Sequence, residues 1–197
     1  MVDVSAYTDV RAKFWEAAWG KSQSYDEYLA ASDPKHADRW REQELHVKVT
    51  DEHTTLLKSF VRQMNLLVVS GVWCGDCVRQ GPIFGTFEKI NPNINFRYLD
   101  RDEHADVMDE VRIAGAKKVP SVVCLSEDFF EIGRFGDRTL SVYRRKAESE
   151  LGPACPVGIG IPHPDELAEE VCEWIEIVEH WHLLLRLSPL LRERHGD

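Results

Sequence analysis

The spacing of apolar residues divides the chain into three stretches. Up to about residue 62 the period is helical. Phe14, Trp15, Ala18 and Trp19 share one face of a predicted helix. Ser24 followed by Glu27 has the spacing of a capping box and opens a helix over Tyr25 to Ala31. Asp33-Pro34 marks a turn, a helix is predicted from His36 to Val47, and Thr50-Asp51 caps the next, in which Leu56, Leu57, Phe60 and Val61 make an apolar stripe. Residues 1–62 are therefore read as a helical N-terminal extension, docked on the rest through Trp15, Trp19 and Trp40.

From residue 63 to 150 the period changes. Leu66 to Val69 is an unbroken apolar run, as a central strand covered on both faces requires. A helix is predicted from Cys77 to about Ile90, ended by Asn91-Pro92-Asn93. A strand over Ile94 to Leu99, a turn at Asp100 to Glu103, and a helix over His104 to Ile113 come next. Val119 to Leu125 reads as a strand that begins at Pro120, where no ladder donor is needed. Phe129 to Phe135 is its hairpin partner across a polar turn, and Leu140 to Leu151 closes the series as a helix. The alternation predicts an α/β fold, a central mixed sheet flanked by helices.

Residues 151–197 are predicted to be a Gly/Pro-rich loop, Gly152 to Pro164, carrying Cys155 and His163, followed by a long helix capped by Asp165. Leu167, Val171, Trp174, Val178, Trp181 and Leu185 form its apolar stripe. Glu169, Glu170, Glu173, Glu176 and Glu179 are assigned to other faces, His180 and His182 to the surface, and Pro189 to the helix end.

Charge narrows the function. A net charge of -10 opposes nucleic-acid binding, which needs a basic surface. The basic run Arg144-Arg145-Lys146 is countered by Glu148 and Glu150 and reads as a solvated helix face. The N-terminus lacks a basic region followed by an apolar core, and no window reaches the ~20 apolar residues of a membrane span, so the expected location is the cytoplasm. Five cysteines, an odd number, suit that compartment: one Cys-x-x-Cys pair and three free thiols, Cys124 being a buried core thiol.

The chemistry concentrates in Trp73-Cys74-Gly75-Asp76-Cys77, between the first strand and the following helix. Cys-x-x-Cys serves zinc sites as well as redox pairs. A structural zinc needs four ligands, and Cys155, His163 and Cys172 are irregularly spaced for that. In the redox reading, free N–H groups and the positive end of the helix favour a Cys74 thiolate, the nucleophile. Cys77, one turn along, is less exposed and can resolve a mixed disulfide. Gly75 keeps bulk away from an approaching sulfur, and Trp73 offers a flat apolar flank. Asp76 places a negative charge beside Cys74, which opposes its ionisation and lowers the reduction potential, with Arg79 offsetting part of that charge.

The Trp-Cys-Gly-Asp-Cys motif, Pro82 five residues after Cys77, and the Val119-Pro120-Ser121 step together resemble the thioredoxin family, over roughly residues 55 to 150. The resemblance implies a helix kinked at Pro82. It implies also a cis Pro120 facing the disulfide, with Val119 offering backbone hydrogen bonds to a substrate chain. The sequence departs from thioredoxin proper at Asp76, where that protein has proline, and at Val68, where it has a buried acid that assists proton transfer to the resolving thiol. The long extensions resemble those of bacterial thioredoxin-like proteins with the same five-residue site.

The function expected is thus a thiol–disulfide oxidoreductase, a reductant. Its partners would be a disulfide-containing protein or a low-molecular-weight disulfide, and a separate reductase or thiol as electron donor. No metal or cofactor beyond the Cys74–Cys77 disulfide is expected, and neither nucleic acid nor membrane. The alternative is a thioredoxin-like binding or redox-sensing module with little turnover.

Overall fold

A computed structural model describes residues 7–151 and 166–196. The expected loop with Cys155 and His163, and the cap at Asp165, lie outside them.

Met64–Ser70 (β1) is buried along its whole length, so both faces of the sheet are covered there. Ile94–Asp100 (β2) runs parallel to it, with Met64 beside Ile94 and Ser70 beside Asp100. Ser121–Leu125 (β3) pairs antiparallel with β1, and Glu131–Gly136 (β4) antiparallel with β3. The order across the mixed sheet is β2-β1-β3-β4. β3 starts one residue after Pro120, and its every residue is buried.

Four helices precede the sheet: Ala12–Lys21 (α1), Tyr25–Ala31 (α2), Pro34–Glu44 (α3) and Asp51–Lys58 (α4). Their starts follow the local chemistry. The Ser24 hydroxyl accepts from the Glu27 N–H while the Glu27 carboxylate accepts from the Ser24 N–H. The Thr50 hydroxyl caps α4 by accepting from the His53 N–H. Gln23, between α1 and α2, exchanges both backbone hydrogen bonds with Tyr98 (2.9 and 2.7 Å), which occupies part of the otherwise open edge of β2. Trp15, Trp40 and Leu57 are fully buried in the same apolar core as the sheet. Val61 departs from the expected stripe: α4 stops at Lys58, the helical period lapses, and Val61 is 60% exposed.

Gly75–Ile90 (α5) carries Pro82 inside it and packs against α3 and β2. Trp40 lies flat on its glycine: a Cβ on Gly81 would sit 1.8 Å from Trp40 Cζ3. Ala105–Glu110 (α6) is shorter than the stretch predicted, and Leu140–Leu151 (α7) follows β4.

Glu166–Leu187 (α8) packs on β4, α4, α5 and α7. Trp174 anchors it, edge-on to Phe84 (4.6 Å) and Phe135 (5.2 Å), its indole N–H donating to Gln80 Oε1 at 2.9 Å. Two residues assigned to outer faces are instead buried. Glu170 is four residues before Trp174, and His182 four after Val178, so both fall on the inward stripe. His182 stacks on Phe60 at 4.3 Å and its Nε2 accepts from the Val61 N–H. Pro189 ends α8 and also opens a further helix, Pro189–His195 (α9), capped by the Ser188 hydroxyl. No helix among the described residues is long and apolar enough to cross a membrane.

Candidate active site

β1 ends at Ser70, and Gly71–Trp73 turn the chain into α5. Cys74 is the N-cap of that helix, in extended conformation, its N–H bonded to the Gly71 carbonyl at 2.9 Å. Its sulfur is therefore at the open end of α5, where backbone N–H groups lack helical partners. Cys74 is partly exposed and Cys77 fully buried. The Cys74 thiol points at the Val119 carbonyl, 3.6 Å away, across the cis Val119–Pro120 peptide. The site thus joins the β1–α5 turn to the segment that enters β3.

The two thiols are strongly unequal. Cys74 is lowered from an ordinary 9.0 to about 6. The largest cause is the Cys77 thiol, which donates to the Cys74 sulfur. Backbone N–H groups of Cys77 and Asp76 add to it, against the cost of partial burial. Cys77 moves the other way, well above its ordinary value, because burial disfavours its charged form and the neighbouring Cys74 reinforces this.

Asp76 departs from the role predicted for it. Its charge does oppose the Cys74 thiolate, but it is the smallest of the influences named above and is outweighed. Arg79 does act on that charge, Asp76 being among the groups that favour its cation, but the close contact of Asp76 is another residue. Arg79 turns away to α8, where its Nε donates to Glu170 Oε1 at 3.0 Å and its guanidinium lies 3.7 Å from Glu166. The cation on Asp76 is Arg138, from the loop between β4 and α7, at 2.6 Å. Arg138 is held in turn by the buried Asp137 (3.0 Å), whose backbone carbonyl accepts from Gln80 at 2.8 Å. Arg138 lies 62 positions from Asp76, beyond any local spacing rule.

Trp73 is 41% exposed and lies under the Arg101 guanidinium, 4.5 Å from its ring centre. Where Gly75 would carry a Cβ there is nothing within 4 Å, so the approach to Cys74 on that side is open. Gly75 lines a cleft of about 600 Å³, with Asp76 and Arg79 of α5 on one side and Arg39, Glu42 and His46, from α3 and the turn after it, on the other. Pro82 lies buried inside α5, and Thr86 Oγ1 donates to its carbonyl at 2.8 Å. Cys124 is buried in β3, its thiol pushed up by burial; Cys172 on α8 is partly exposed. Among the described residues, no group of three or more His, Cys, Asp or Glu side chains could hold a metal ion.

No curated protein matches the sequence of this chain. In structure it is similar to a Pseudomonas aeruginosa protein of unknown function, at 18% identity and a TM-score of 0.65, over 83% of this chain and 95% of that one. An HIV epitope-scaffold is similar at 17% identity and 0.64, over 84% and 97%. At such identities the likeness establishes the fold alone. The sequence model of thioredoxin matches residues 22–148, a span that takes in α2 to α4, all four strands and the Cys74–Cys77 turn, and on that match the chain belongs to the thioredoxin family.

Proposed function

We propose that this protein is a thiol–disulfide oxidoreductase acting as a reductant, with Cys74 as nucleophile and Cys77 as resolving thiol. The observation that carries the reading is the asymmetry of the pair. A partly exposed thiol brought to about 6 is thiolate at neutral pH, and one turn behind it a buried thiol remains protonated. Acidification of this mild degree accompanies reducing rather than strongly oxidising dithiols.

In this scheme the Cys74 thiolate attacks one sulfur of a substrate disulfide and the other sulfur leaves as a thiolate. Cys77 then gives up its proton and attacks Cys74, releasing the second substrate thiol and leaving a Cys74–Cys77 disulfide. The substrate gains two electrons and two protons. A separate reductase or a low-molecular-weight thiol restores the dithiol. Trp73 and the backbone at Val119 and Pro120 flank the attacking sulfur and are assigned to substrate contact. Gly75, Asp76 and Pro82 shape the turn and helix that hold it. The disulfide itself is the redox group, so no bound cofactor, metal, nucleic acid or membrane enters. The proposed substrate is a disulfide-bearing protein or small molecule, and the proposed compartment is the cytoplasm, where such electron donors are abundant.

The test is reduction of insulin disulfides by the wild type and by Cys74→Ser and Cys77→Ser. Loss of turnover in the first and accumulation of a mixed disulfide in the second support the reading. Wild-type turnover by Cys74→Ser sinks it. A binding or redox-sensing module is the second reading, favoured by Val68, a buried apolar residue of β1. A wild-type protein whose Cys74 reacts only as an ordinary thiol, without turnover, selects that one.

A further inference from the structure

Asp137 sits in the loop between β4 and α7, where no local pattern marks it as part of a site, yet it is buried. A carboxylate out of water is expensive unless cations and hydrogen-bond donors surround it. Three groups do so here. Arg138 Nη1 donates to one oxygen at 3.0 Å, the Tyr143 hydroxyl of α7 donates to the other, and Lys118 Nζ lies 3.6 Å from that second oxygen. Lys118 Nζ also donates to the Tyr143 hydroxyl at 3.0 Å, which closes a triangle.

Each cation leads to a different wall of the site. Arg138 reaches both oxygens of Asp76, at 3.2 and 2.6 Å, between the two cysteines. Lys118 is joined by one peptide bond to Val119, whose carbonyl faces the Cys74 thiol at 3.6 Å. The main chain around Asp137 is fixed as well. Its carbonyl accepts from Gln80 of α5 at 2.8 Å, and a Cβ on Gly136 would meet the Pro120 carbonyl at 2.5 Å. The series Asp76, Arg138, Asp137, Lys118 thus ties the wall that supplies the nucleophile to the wall that faces it. The direct tie, the Cys74 thiol donating to Val119, belongs to the protonated sulfur, because a thiolate has no proton to donate. In the reactive form the link through Asp137 persists.

We propose that Asp137 is a positioning residue for the redox pair, its carboxylate setting the gap between the Cys74 turn and the Val119–Pro120 segment into which a polypeptide disulfide must fit. The inference rests on the oxidoreductase reading above and deepens it. Asp137 acts through Arg138 and Lys118 rather than on either sulfur. Burial keeps water from competing for its carboxylate, so the attraction to both cations is little screened. Attack on a disulfide needs an aligned approach, and displacing one wall by about 1 Å is enough to cost roughly 100-fold in rate. A substrate chain needs both walls. A small reagent that reaches Cys74 from the open side at Gly75 needs only the sulfur.

The experiment compares two reactions of the full chain, in a background with Cys155 and Cys172 changed to Ser. One is reduction of insulin disulfides; the other is alkylation of Cys74 by iodoacetamide at pH 8, where its thiolate is formed. Asp137→Asn keeps the size and an acceptor for Tyr143 but removes the charge that holds both cations. It is expected to lower kcat/KM for insulin by roughly 10- to 100-fold, while alkylation stays within about threefold of the wild type. Lys118→Gln, at a partly exposed side chain, cuts the same link and leaves Arg138 on the carboxylate. It is expected to show the same selective loss, and the double variant to be no worse than the poorer single one, as for residues acting as a unit. Unaltered insulin reduction in either folded variant overturns the proposal. So does a parallel loss of both reactions, which marks a merely structural role. If Asp137→Asn does not fold, Lys118→Gln decides by the same two rates. A wild type that reduces no insulin overturns the oxidoreductase reading itself, and is told apart by appearing before any substitution is made.

Discussion

The indole N–H of Trp40 donates to the carbonyl of Val72 at 2.9 Å, so a helix of the N-terminal extension holds the turn that presents the redox pair. The same ring covers Gly81 in α5, behind Cys77. The turn and the helix that carry the two cysteines are thus braced by one buried side chain that is remote in sequence from both.

Trp40→Ala is therefore expected to do two things at once. Loss of a fully buried indole costs about 3–5 kcal/mol, and removal of its hydrogen bond frees Val72. Denaturant unfolding should show the destabilisation. Alkylation of Cys74 should show a pKa that drifts back toward that of a free thiol. Trp40→Phe keeps most of the packing but not the donor, and should cost about 0.5–1.5 kcal/mol for the bond together with any packing defect. If Trp40→Ala leaves Cys74 unchanged, the brace serves stability alone.

The pH dependence of Cys74 follows from its causes. Iodoacetamide should react at half its maximal rate near pH 6, where the thiol is brought. Because the Cys77 thiol is the largest contributor, Cys77→Ala should move that midpoint up, and Cys77→Ser, which still offers a hydroxyl donor, should move it less. Stability carries the same signature. The folded-state value of Cys74 lies below its unfolded one, so its thiolate contributes stability that is fully present above the unfolded value and lost as pH falls through about 6. Cys77, shifted upward, contributes in the opposite sense, and its share is lost as pH rises through its folded value. A Cys74 midpoint unmoved in Cys77→Ala would show that the helix end, not the second thiol, sets the acidity.

Arg138 and Asp76 should act on Cys74 with opposite signs. Asp76→Asn removes the charge that opposes the thiolate and is expected to lower the Cys74 midpoint. Arg138→Ala exposes that charge by removing its partner at 2.6 Å, and is expected to raise it. Both shifts should shrink at high salt, since the pair is partly exposed. Shifts in the same direction for both variants would mean that geometry at the turn, not charge, governs the thiol.

What the sequence revealed of this fold is what local rules govern. The capping box at Ser24, the strand run at Leu66, the stripe on α8 and the turn at Cys74 depend on neighbours within a few residues, and the structure places them where the pattern does. Arg138 escaped because nothing near it in sequence signals Asp76; the sheet and the β4–α7 loop bring them together. Glu170 departs from the expected outer face because the helical period, not the residue type, sets which way a position on α8 faces. Its position was inward, and α5 supplies the cation that makes this tolerable.

That last arrangement gives a sharp test. Glu170 is 1% exposed, and burial raises its pKa while Arg79, then Arg145, act against this. The Arg79 side chain is 38% exposed, so solvent screens part of the attraction. Arg79→Ala should still leave the buried carboxylate poorly compensated, at a cost of about 1–3 kcal/mol at neutral pH, below the figure for a fully buried pair. A carboxylate whose folded value is raised contributes stability when protonated and loses it as pH rises through that value. The deficit of Arg79→Ala should therefore shrink as pH is lowered, whereas Arg79→Ala combined with Glu170→Gln should show a deficit that is smaller at neutral pH and flat across the same range. Urea unfolding of the three proteins at several pH values reads both trends. A deficit that stays constant with pH in the single variant would mean that Arg145 alone satisfies Glu170, and that Arg79 holds α5 to α8 through packing of its stem.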